Sequence, residues 1–106
     1  MRAISRVTFL VDDYDEAIDW FRDALGFVLI EDAPMGDKRW VVVSPRDDAE
    51  TQLLLARPRD DAQNARLGNQ TGGRVFLILH TDDFARDHAA MTAAGPSPHR
   101  CRRTLR

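Results

Sequence analysis

An internal echo constrains this chain more than any other feature. Arg6-Val7-Thr8-Phe9-Leu10-Val11 runs parallel to Arg74-Val75-Phe76-Leu77-Ile78-Leu79. Asp12-Asp13-Tyr14 returns as Asp82-Asp83-Phe84, and each copy leads into a helical stretch that stops at a glycine, Gly26 or Gly95. The offset is 68 residues at the strands and 70 at the aspartates. A short apolar strand repeats by chance. A strand, an Asp-Asp-aromatic turn, a helix and a glycine in one order point to a duplicated unit.

The first copy can be followed to its end. Val7, Phe9 and Val11 alternate with their neighbours as a strand with one apolar face does. Asp13 and Glu16 have capping-box spacing ahead of a helix carried by Tyr14, Ala17, Ile18, Phe21 and Leu25. Gly26 suits a left-handed C-cap because it lacks a β-carbon. Residues 27–30, 39–43 and 52–56 read as three further strands, with turns at Pro34 to Gly36 and at 45–50. The expected fold class is therefore α+β, built of paired βαβββ modules. Module one covers 4–57, a linker with a short helix covers 58–72, and a partial module two covers 73–95. The second module is expected to be incomplete after its first strand and helix.

After Gly95 the pattern changes. Residues 96–106 hold four arginines and no acid, which leaves a charge of −6 on the rest of a chain whose net charge is −2. They show no strand alternation and read as an aberrant, disordered basic tail. Codons exist for this tail whose adjacent frame spells Pro-Leu-Thr-Asp-Ala-Glu-Glu-Pro-Tyr-Gly, so a frameshift or an equivalent gene-model error is the expectation. That makes the arginines accidental, and no nucleic-acid partner is expected. The lone cysteine, Cys101, cannot form an intrachain disulfide, and no apolar run approaches the ~20 residues of a membrane helix. A cytoplasmic protein without a membrane partner is expected.

Several segments resemble the vicinal oxygen chelate superfamily, the glyoxalase, bleomycin-resistance and extradiol-dioxygenase group. They are Val7 to Tyr14, Ala17 to Phe21, Ala24 to Phe27, Lys38 to Val43, and Gly68 to Leu77. The last is similar to one uncharacterised glyoxalase-like branch. The resemblance covers residues 4–95 and implies two curved half-sheets around a cavity. Full members continue with three more strands, often with a Glu-Pro-Tyr-Gly turn, which is not present here.

Metal-dependent members hold a divalent ion with His, Gln or Glu on the first and last strands of each module. The resemblance puts Arg6 and Arg74 at the first-strand positions and Leu54 at about the last-strand position of module one. The fourth position falls in the segment not present. A guanidinium repels a cation and an alkyl side chain cannot ligate one, so neither a metal nor another cofactor is expected.

Alternation assigns the cavity face to Arg6, Thr8, Leu10, Trp40, Val42, Gln52, Leu54, Arg74, Phe76 and His80. Two readings of the arginines stand side by side. They can clamp a carboxylate or phosphate together, or they can end their strands at the surface and pair with local aspartates for little energy. Trp40 and Phe76 can stack on a flat ligand. His80 is a strand-end histidine, either a solvated polar residue or a base. His88 takes the position of Ile18 in the repeat and is expected to be partly buried. No catalytic residue is assigned.

Three functions are weighed. The first is a metal-free protein that binds a small planar or anionic molecule. The second is a metal-dependent lyase or dioxygenase of the same group, which the lost ligands disfavour. The third is a non-functional or dimer-dependent truncated product, because an unpaired sheet edge invites association. A homodimer is the expected assembly.

Overall fold

The computed structural model describes residues 2–95, and the expectations for 96–106 lie outside them. The first module forms as one sheet. Strands β1 (Arg6–Leu10), β2 (Val28–Met35), β3 (Lys38–Ser44) and β4 (Gln52–Ala56) lie in the order β1-β4-β3-β2. β1 runs parallel to β4, with Arg6 opposite Gln52 and Thr8 opposite Leu54. The two other pairings are antiparallel. A parallel neighbour needs a crossover, and helix α1 (Tyr14–Leu25) begins it.

The helix ends follow the chain chemistry. Asp13 Oδ1 accepts from Glu16 N at 2.9 Å, and Gly26 closes the helix at φ 68°. That angle is open to glycine at low cost. α1 buries Ala17, Ile18, Trp20, Phe21 and Ala24. Against them the sheet presents Phe9, Val11, Val41, Val43, Leu53 and Leu55. Phe9 and Phe21 meet edge-on at 5.8 Å, the arrangement an aromatic quadrupole favours. Fully burying a side chain such as Leu55 is worth roughly 1.5–3 kcal/mol.

β2 runs five residues past the expected strand, through Pro34. Pro34 was expected to mark a turn. β2 is an edge strand, where a proline's missing N–H costs no ladder bond. The turn falls instead at Gly36-Asp37, with Gly36 at φ 66° and Met35 opposite Lys38.

The linker contains one short helix, α2 (Asp61–Asn64), capped by Asp60 Oδ1 on Gln63 N at 2.8 Å. The second copy of the repeat then appears in its helix. α3 (Phe84–Ala94) is capped by Asp83 Oδ1 on Arg86 N at 2.9 Å, as Asp13 caps α1. Its buried residues, Asp87 and Met91, sit 70 positions after Ala17 and Phe21, which are buried in α1. Asp87 is held by the Thr81 hydroxyl and by Arg86 Nε at 3.0 Å.

Two expectations need correction here. Residues 74–79 do not join a ladder, and Leu79 alone makes a strand-type pairing. In module one the first strand takes its ladder from the fourth, β1 from β4. No fourth strand of the second module is among the described residues, so the apolar pattern of 74–79 has no ladder to enter. His88 is exposed rather than partly buried, and its ring stacks on Phe84 at 5.7 Å. Its counterpart Ile18 is buried in the main core cluster, to which α3 contributes only Met91.

Candidate functional site

A cavity of about 320 Å³ opens where the second module meets the first. Phe9 and Leu53 line it from the sheet, and Trp20, Phe21 and Leu25 line it from α1. Phe76 to Leu79 and Met91 close it on the side of the second copy. Phe76 lies 5.6 Å from Phe9, and Phe27 lies 5.2 Å from Phe21. The walls are therefore mostly aromatic and aliphatic, with Thr51, Asn69, Gln70 and Arg74 as the polar members. A volume in this range, apolar walls and a few placed polar groups are the usual features of a small-molecule pocket.

The segment 68–74 positions the polar members. Gln70 works as a substitute strand. Its Oε1 accepts from Leu10 N at 3.2 Å, and its Nε2 donates to Leu10 O at 2.8 Å. β1 is an edge strand, so these two bonds cover backbone groups that no neighbouring strand reaches. Thr71 does the same for Arg74. Its hydroxyl donates to Arg74 O at 2.5 Å and accepts from Arg74 N at 2.9 Å. Gly73, at φ 114°, makes the bend that precedes Arg74. The backbone of Arg74 is thus fixed, while its side chain is exposed at the solvent edge of the cavity.

The expected site residues divide between two places. Arg74 and Phe76 line the cavity. Arg6, Thr8, Gln52 and Leu54 share the other face of the sheet by alternation and register, away from Phe9 and Leu53. There Arg6 pairs with Glu31 at 3.5 Å and lies 6.0 Å from the centre of the Trp40 ring. Both partners of that ion pair are more than one-third exposed, so it contributes little. Thr8 and His80 are exposed, while Gln52 and Leu54 are half-buried. Among the described residues, no three His, Cys, Asp or Glu side chains are grouped to hold an ion.

Sequence reasoning missed the rest of the lining. Trp20, Phe21, Leu53 and Met91 carry only the signal of core positions, which is also what they are. Asn69 and Gln70 stood in the segment that resembled a family branch, but nothing in their spacing marked a site.

A βαβββ unit whose strand order is β1-β4-β3-β2, followed by a second Asp-capped helix, α3, defines a protein of the glyoxalase-like class. The comparisons with known proteins agree. The family model of the Glyoxalase/Bleomycin resistance protein/Dioxygenase superfamily matches residues 3–104, and the chain belongs to that superfamily. An uncharacterized protein of Shewanella frigidimarina (strain NCIMB 400) is 50% identical over 96 residues, covering 89% of this chain and 71% of its own. The crystal structure of UcmS2 superposes with a TM-score of 0.71 at 26% identity, over 90% of this chain and 77% of that one. TnmS3, described as an antibiotic binding protein from Streptomyces sp. CB03234, superposes with a TM-score of 0.68 at 27% identity, over 90% and 72%. No helix among the described residues is long and apolar enough to cross a membrane.

Proposed function

We propose that this chain is a metal-free binding protein for a flat, largely apolar small molecule, which it holds between α1, α3 and residues 68–79. The observation that carries the reading is the cavity itself, about 320 Å³ and walled by Phe9, Trp20, Phe21, Phe27 and Phe76. Aromatic walls favour a planar partner through stacked and edge-on contacts. The description of TnmS3 as an antibiotic binding protein supports sequestration as the role. Titration calorimetry with planar aromatic compounds in the presence of EDTA tests it. Binding at one site per chain is expected. Binding that appears only after a stoichiometric divalent ion is added would favour the metal-dependent lyase or dioxygenase reading instead.

Self-association belongs to the same proposal. Val75 and Ile78, 45% and 52% exposed, lie on the segment that lacks a ladder, and Phe84, 55% exposed, begins α3. A second copy covering this stripe would remove apolar surface from water and pair open backbone groups. Light scattering after size exclusion is expected to give twice the chain mass.

A further inference from the structure

Among the described residues, Arg74 is the one charged residue in the cavity lining, and no acid shares the lining with it. The other polar groups are mostly committed. The Thr51 hydroxyl donates to Ile4 O at 2.7 Å, and both ends of the Gln70 amide are taken by Leu10. Among the described residues Arg74 makes no ion pair, unlike Arg6, Arg22, Arg39, Arg46, Arg59 and Arg86. Among the described residues, the side-chain donors of the lining left for a ligand are therefore the Arg74 guanidinium and the side-chain amide of Asn69.

We infer that the cavity selects a monoanion, an aromatic or polycyclic acid whose flat body enters the apolar walls and whose acid group pairs with Arg74. The inference rests on the cavity reading above and adds the charge of the ligand to it. The physics is one of matched sites. A carboxylate can take two parallel N–H bonds from the planar fork of a guanidinium. An amine in the same place would meet a like charge. A neutral ligand would crowd the guanidinium without replacing the water it displaces. Arg6, which the repeat pairs with Arg74, has no part in this, because it lies on the other face of the sheet and is paired with Glu31.

The probes are 2-naphthoate and 2-naphthamide, which share size and shape and differ in charge. Titration calorimetry on the full chain is expected to show naphthoate binding about tenfold tighter, the factor that about 1.4 kcal/mol corresponds to. Arg74→Gln should remove that preference, so that naphthoate and naphthamide bind the variant with equal affinity. Arg57→Gln, the same charge change at an exposed arginine outside the lining, should keep the preference. Arg74 is exposed, so its replacement leaves the core intact, and circular dichroism checks this. Equal affinity for the two probes, or a preference that survives Arg74→Gln, would overturn the monoanion inference while leaving the binding proposal in place. Failure of both probes to bind would overturn both.

Discussion

Replacing Gln70 by leucine separates the two jobs of the 68–74 segment, lining the cavity and closing the edge of β1. The change keeps much of the side-chain volume and deletes two bonds, from Leu10 N to Oε1 at 3.2 Å and from Nε2 to Leu10 O at 2.8 Å. Each such bond is worth about 0.5–1.5 kcal/mol net, so the loss should be about 1–3 kcal/mol. With a urea m-value of about 1–3 kcal/mol/M, the unfolding midpoint should fall by on the order of 1 M. Gln70→Glu sharpens the test. The introduced carboxylate can still accept from Leu10 N, but it faces Leu10 O with no proton to donate. Its folded-state pKa is therefore raised above the usual value of about 4.3. A group of that kind stabilises most below its unfolded pKa and loses the contribution as pH rises through the folded value. The deficit of Gln70→Glu should then be largest at neutral pH and shrink as the pH falls toward 4, while that of Gln70→Leu stays flat. An unchanged midpoint for Gln70→Leu, or a Gln70→Glu deficit that grows on acidification, would refute the substitute-strand role.

Other perturbations address the frame. Leu55→Ala empties a position that is 1% exposed and should cost about 2–5 kcal/mol in urea unfolding. Asp83→Ala removes the cap of α3 and should cost about 1 kcal/mol, much as Asp13→Ala should for α1. The Arg86 guanidinium, and then the Thr81 hydroxyl, hold the Asp87 carboxyl below its usual range. A depressed carboxylate stabilises above its unfolded pKa of about 3.9 and loses that contribution as pH falls through the folded value. Melting temperatures of Asp87→Asn should therefore fall less steeply than wild type below about pH 4.

How far the sequence foretold the molecule depends on which forces act locally. The caps Asp13 and Asp83, the stop at Gly26 and the strand 52–56 were legible because neighbouring residues determine them. Pro34 misled because proline speaks of backbone donors, and only the sheet order shows that β2 needs none there. Residues 74–79 misled in the opposite way. Alternating apolar residues announce a strand, but a ladder needs a partner that the pattern cannot name. Of the residues that line the cavity, alternation and the repeat single out Arg74 and Phe76. Trp20, Phe21 and Met91 were not, since a pocket wall and a packed core ask for the same side chains. Arg6 and Trp40 were placed on one face with Arg74 by alternation. The structure puts Arg74 in the helix-side cavity and leaves the other two on the opposite face of the sheet, beside Glu31.

In the proposed function the cavity beside α1 and α3 holds a flat molecule without a metal, and the methionine methyl groups report on that binding directly. The chain has three methionines. Met91 lines the cavity, while Met35 is 53% exposed at the turn between β2 and β3. In a carbon-13 methyl spectrum recorded with EDTA, titration with 2-naphthoate should move the Met91 signal upfield through the ring current and leave Met35 in place. A Met91 signal that stays fixed while the probe binds elsewhere, or that moves only when a divalent ion is supplied, would contradict the account.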